Sequence, residues 1–64
     1  ASAKFRRSIY IVENIKEGEE FTSKNLRIIR PGSGLPPKFY DSIIGKKAAC
    51  DIKRGTPMSL EFIA

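Results

Sequence analysis

The run Arg30-Pro31-Gly32-Ser33-Gly34, an arginine at the end of an alternating stretch followed by a proline and two glycines, is the part of this sequence best suited to touch a ligand. The proline restricts the backbone just after the arginine. The planar guanidinium then offers a fork of donors that fits a carbonyl or a carboxylate. The same five residues equally describe an exposed arginine leading into a flexible loop. Glu17, Glu19 and Glu20 gather beside Lys16, while Lys53 and Arg54 hold the matching place further along; both groups read as solvated turns. Parts for covalent chemistry are missing. There is no histidine to act as base, proton shuttle or metal ligand. The single cysteine, Cys50, can form neither an internal disulfide nor a thiolate cage, and is expected to be a buried thiol. No nucleophile with its base, no phosphate-cradling glycine loop and no metal-ligand set is recognisable.

These residues need a scaffold, and 64 residues allow one small domain. A domain of this size hides only about 60% of the surface its unfolded chain exposes, which excludes a large buried active site. With 41% hydrophobic and 30% charged residues, four Phe and two Tyr, the composition is globular. Twelve Lys and Arg against seven Asp and Glu give a net charge of +5, but the basic residues are scattered apart from Lys4, Arg6 and Arg7. Nucleic-acid binding is therefore not expected. No apolar run approaches the roughly 18 residues of a membrane span, and the chain begins at Ala1 without a signal-type segment. A cytoplasmic, membrane-free piece of a longer protein is expected. Residues 1–7 are expected to be a linker or flexible segment and residues 8–64 the domain.

The scaffold carries an internal repeat. Sliding the chain by 37 residues lays Ile15-Lys16-Glu17-Gly18-Glu19-Glu20-Phe21-Thr22 over Ile52-Lys53-Arg54-Gly55-Thr56-Pro57-Met58-Ser59. Asn14 and Asp51 precede the copies, and Leu26 and Ile63 follow them. In each copy the glycine is expected to take the positive φ of a tight turn. Thr22 and Ser59 are expected to cap one helical turn apiece. Ser8 to Val12, β-branched and aromatic, predicts a strand covered on both faces. Lys47 to Cys50 stands in the equivalent place before the second copy and predicts a tightly packed strand. Leu26 to Ile29 predicts another strand, broken by Pro31 to Gly34. Phe39, Tyr40, Ile43 and Ile44 recur at helical spacing, so Pro37 to Ile44 predicts one or two helical turns with their apolar stripe in the core and Gly45 as the stop. The glycines Gly18, Gly32, Gly34, Gly45 and Gly55 are all expected to be structural turn residues.

Taken together, Ile11 to Gly18, Leu26 to Gly34, Ile44 to Ala48 and Ile52 to Pro57 closely resemble the C-terminal antifreeze-like (SAF) domain of bacterial sialic acid synthases, over almost the whole chain. Arg6-Arg7-Ser8-Ile9-Tyr10 looks like the segment where the linker from a catalytic domain joins. Gly34-Leu35-Pro36-Pro37-Lys38 is similar to the pseudaminic acid synthase branch as well as to N-acetylneuraminate synthases.

The resemblance implies a small, mainly β, β-clip fold with short strands, one-turn helices and a pseudo-two-fold repeat. It also implies a parent transferase that condenses phosphoenolpyruvate with an N-acyl hexosamine, either N-acetylmannosamine or a diacetamido sugar. The catalytic residues and a divalent metal, Mn or Mg, would belong to a (β/α)8 barrel upstream, so this fragment alone would be neither catalytic nor metal-binding. The domain would cover the barrel mouth of the other subunit in a homodimer, and Arg30 would reach the sugar's N-acyl group. Two other functions share the fold: a non-catalytic sugar-binding or docking module, and an ice-binding protein. The charges of Lys16 to Lys24 argue against the second, since they hold their own hydration.

Overall fold

The computed structural model describes residues 6–64. The expected linker lies outside the described residues as far as residue 5, and so does Lys4 of the basic cluster; Arg6 and Arg7 are exposed ahead of the first strand.

Strand β1, Ser8–Ile11, is buried along its whole length, as a β-branched and aromatic run covered on both faces should be. Strand β2, Leu26–Ile29, pairs with it antiparallel in the register Ser8↔Ile29, Ile9↔Ile28, Tyr10↔Arg27, Ile11↔Leu26. Only Leu26 of β2 is buried; Ile28 and Ile29 remain 37% and 39% exposed. A 3₁₀ turn at Pro37–Phe39 runs into the short helix α1, Tyr40–Ile43, and a second 3₁₀ turn spans Leu60–Phe62. Ile9, Ile11, Ile15, Phe21, Leu26, Ile43, Ala48, Ile52 and Met58 form the core.

The repeat is written into the backbone bonds. Ile15 and Ile52 exchange both N–H···O bonds, at 2.8 and 2.7 Å, so the pseudo-two-fold axis passes between them. Around that axis the bonds nearest to it have mates 37 residues away. The Gly18 N–H donates to Ala48 O and the Gly55 N–H to Ile11 O, at 2.8 and 2.7 Å. Ala48 N–H donates to Glu19 O, and Ile11 N–H to Thr56 O. Phe21 N–H donates to Lys46 O, and Met58 N–H to Ile9 O. Val12 N–H donates to Asn25 O, and Ala49 N–H to Phe62 O.

Side chains complete the exchange across the axis. The Asn14 carboxamide oxygen accepts the Arg54 N–H and the Asp51 carboxylate accepts the Glu17 N–H, both at 2.8 Å. The turn formers that precede each copy thus cap the turn of the other copy. In those turns Lys16 O accepts the Glu19 N–H and Lys53 O the Thr56 N–H, with Gly18 and Gly55 in third position at φ of 86° and 91°. A side chain there would sit in the left-handed region that only glycine enters cheaply.

Several expectations change. Lys47 to Cys50 is not a strand: Lys47 and Ala48 make single bridges to Glu20 and Ile63, after which the chain bends, leaving Ala49 exposed and Cys50 half-buried instead of buried. A bridge partner two residues long cannot extend a ladder, so small residues here serve close passage and not sheet. Ser59 stands at the N-terminus of its 3₁₀ turn without capping it. Thr22 does accept the Lys24 N–H at 3.2 Å, in a turn that leads into β2 and not into a helix. Ile44 leaves the apolar stripe and is 36% exposed, because α1 stops at Ile43. Ile44 and Gly45, the latter at φ 93°, form the middle of a turn closed by the Lys46 N–H on Ile43 O, while the Gly45 N–H goes to Phe21 O. Gly32 and Gly34 are not at positive φ.

Candidate functional site

Arg30 leaves the end of β2 directly after Ile29, the residue paired with Ser8. Arg7 stands immediately before Ser8, so the last rung of the ladder has an arginine on either strand just beyond it. Both are exposed, and with Ile28 and Ile29 they line an open cleft of about 360 Å³. Two of its lining residues are apolar and two cationic. Like charges set opposite each other at a strand end repel, so the arrangement favours an acceptor between them. Among the described residues no side-chain hydrogen bond holds the Arg30 guanidinium. A smaller hollow of about 140 Å³ adjoins on the other side of Arg7, among Arg6, Gly32, Gly34, Pro36 and Pro37.

The loop that follows Arg30 is tied down. The Ser8 hydroxyl donates to Pro31 O at 2.6 Å and accepts the Gly34 N–H at 3.0 Å. Ser8 is 1% exposed, and both bonds are partly buried. At the loop's far end Leu35 O accepts the Ile9 N–H at 2.9 Å, and the Leu35 N–H donates to Met58 O at 3.1 Å. Gly34 lies flat on this junction: a β-carbon there would overlap the Ile9 carbonyl oxygen and stand 3.1 Å from both Ile9 C and Met58 N. Close approach of two backbones, and not a positive φ, is what requires glycine at this position. Arg30 is exposed, as the alternative reading has it, and the loop that follows is bonded to β1 through Ser8. The Arg30–Pro31 peptide is cis.

Asn25 anchors the start of β2 in a similar way. It is 6% exposed; its carboxamide oxygen accepts the Thr22 N–H at 2.9 Å and its nitrogen donates to Glu20 O at 3.1 Å. The Tyr40 hydroxyl donates to Leu26 O at 3.3 Å, bracing β2 from the helical side. No buried polar side-chain atom among the described residues lacks a partner.

Of the residues singled out in the sequence, Arg30, Gly32 and Gly34 meet in one loop, while Gly18, Gly45 and Gly55 lie in turns outside it. Three contributors to the cleft are not marked as site residues by the sequence: Arg7, which belongs to the basic cluster and the expected linker, and Ile28 and Ile29, whose pattern gives only a strand. Ser8 too is marked by its sequence context only as a strand residue. The register Ser8↔Ile29 is the signal that unites them, and it is not a local property of either segment. No set of three metal-ligating side chains, and no helix long and apolar enough to cross a membrane, occurs among the described residues.

Comparison with known proteins agrees with this architecture. The chain is 42% identical over 59 residues to the pseudaminic acid synthase of Helicobacter pylori, covering 92% of this chain. It is 51% identical over 51 residues, 80% of the chain, to that of Campylobacter jejuni serotype O:2. The N,N'-diacetyllegionaminic acid synthase of Legionella pneumophila is 30% identical over 58 residues, 91% of the chain. The chain spans only 15–17% of the length of these relatives. Among solved structures, the spore coat polysaccharide biosynthesis protein spsE of Bacillus subtilis superposes with a TM-score of 0.85 at 32% identity, over 95% of this chain and 18% of that one. The antifreeze protein like domain of human N-acetylneuraminic acid phosphate synthase, a solution structure, gives 0.83 at 22% identity over all of this chain and 81% of that one, a likeness of fold. The SAF domain model matches residues 6–64, and with a fold and relatives that agree, this chain belongs to the SAF domain family.

Proposed function

We propose that the chain is the substrate-orienting lid of a nonulosonic acid synthase, a transferase that condenses phosphoenolpyruvate with an N-acyl hexosamine. The observation that carries this reading is Arg30: an exposed guanidinium on a backbone bonded to the scaffold on both sides, lining an open cleft together with Ile28 and Ile29. An acylamido group has that same duality, a carbonyl to accept and a methyl to bury. Arg30 donates to the carbonyl, and Ile28 or Ile29 takes the methyl. The lid excludes water and supplies orientation. The chemistry itself, with any divalent Mn or Mg, belongs to the (β/α)8 barrel of the parent chain, in a homodimer to the barrel of the other subunit.

The likeness to pseudaminic and diacetyllegionaminic acid synthases supports a diacetamido sugar over N-acetylmannosamine as acceptor. Ice binding is not supported by the first repeat, where Lys16, Glu17, Glu19, Glu20 and Lys24 are all exposed. The test is phosphate release by the parent enzyme, with phosphoenolpyruvate and either sugar, for wild type and Arg30→Ala. Loss of one charge-assisted hydrogen bond is expected to lower kcat/KM for the sugar by roughly tenfold to a hundredfold. An unchanged kcat/KM would remove Arg30 from the site, and no release with either sugar would leave the docking-module function.

A further inference from the structure

We propose that Ser8 is the positioning residue of this site: its hydroxyl, by bridging Pro31 and Gly34, sets the direction in which Arg30 leaves the sheet. The inference rests on the reading of Arg30 as the sugar contact.

Arg30 is bracketed. On one side Ile29 is held in the β1–β2 ladder, and on the other Pro31 is held through its carbonyl by Ser8 at 2.6 Å. With both neighbours fixed, only the side-chain torsions of Arg30 stay free, which limits where its guanidinium can go. The second bond, Gly34 N–H to Ser8 Oγ at 3.0 Å, folds the loop back so that it closes onto β1. One buried hydroxyl, used as donor and as acceptor, therefore shapes the whole loop. Arg7 adjoins Ser8 in sequence, so the same residue also relates the two guanidiniums across the cleft.

The repeat supplies an internal control. The mate of Ser8, 37 residues on, is Gly45, which has no side chain. At the Gly45 position the closing bond is a backbone one, Gly45 N–H on Phe21 O. A hydroxyl at this place is not demanded by the fold; it is demanded by the loop that carries Arg30.

The experiment is a double-mutant cycle in the parent enzyme with Ser8→Ala and Arg30→Ala, reading KM for sugar and for phosphoenolpyruvate separately. Ser8→Ala removes a single oxygen and is expected to raise KM for the sugar roughly fivefold to tenfold with KM for phosphoenolpyruvate unchanged. In the Arg30→Ala background the same change is expected to add less than about twofold, since coupled residues do not act additively. An equal effect in both backgrounds, or none in wild type, overturns the positioning role. If Arg30→Ala alone leaves KM for the sugar unchanged, it is the substrate reading that fails. The latch is then decided in the 64-residue chain by amide exchange, where Ser8→Ala is expected to speed exchange at Gly34 at least about tenfold and leave Gly18 and Gly55 unchanged. Unaltered exchange at Gly34 means that no latch exists.

Discussion

The two halves of the repeat keep the same backbone bonds out to Phe21 and Met58 and part company at Gly45 and Ser8. In the half that contains Gly45, Phe21 O receives its bond from Gly45, and the chain turns back on itself. In the other half, Met58 O is reached by Leu35, the residue at which the Arg30 loop returns, and Ser8 uses its side chain to hold that loop. The symmetric part is a scaffold in which each copy caps the other. The exposed arginines and the cleft lie where the symmetry fails. A small domain with no room for a deep pocket can still offer a shaped site if one half of a self-supporting repeat carries a loop that the other lacks.

If that division is right, the costs of substitution separate by place and not by residue type. Gly34→Ala is expected to be the most damaging glycine change. Its β-carbon would meet the Ile9 carbonyl, which is rigid backbone, so the loop must lift off β1 at a cost of about 3 kcal/mol. That is a large share of the few kcal/mol a domain of this length holds. Denaturant unfolding of the 64-residue chain measures it, and a loss below about 1 kcal/mol would mean that the loop is not pressed on Ile9. Gly18→Val and Gly55→Val address the symmetric part. Beyond the adjacent residues no atom lies within 4 Å of a β-carbon at either site, so the positive φ sets the cost, about 2 kcal/mol, which should be equal in the two copies. Unequal losses would break the two-fold account of the turns.

How far the sequence reveals this division depends on the range of the interactions. The repeat is legible because a glycine turn leaves its signature within eight residues: Ile-Lys, a glycine, then an apolar residue and a hydroxyl. β1 and β2 are legible from their branched residues. The exposure of Ile28 and Ile29 is not, since periodicity cannot tell a covered face from one left open at the edge of a two-stranded sheet. The apparent strand at Lys47 to Cys50 fails for a related reason: its equivalence to β1 extends to the bridging bonds but not to a partner ladder. Arg30 stands out through the proline and glycines around it. Arg7 and Ser8 do not, because their importance comes from lying opposite Arg30 and Ile29, a pairing fixed by residues some 20 positions away in the chain.

The smallest expected effect probes the symmetry most finely. Asn14 and Asp51 are mates, each exposed and each accepting one N–H from the other copy's turn at 2.8 Å. Removing either side chain leaves an exposed N–H that water can satisfy, so Asn14→Ala and Asp51→Ala should each cost about 1 kcal/mol or less. The two caps meet through the Ile15–Ile52 exchange, which both copies share, and a loosened turn on one side weakens the pairing that the other relies on. The double variant should therefore lose less than the sum of the singles, because the first change has already weakened the shared Ile15–Ile52 pairing through which the second cap contributes. Strict additivity would show that the two turns are independent features that merely look alike. Asp51→Asn retains the acceptor while discarding the charge; if it matches wild type, geometry and not electrostatics makes the exchange work, as the neutral Asn14 on the other side already implies.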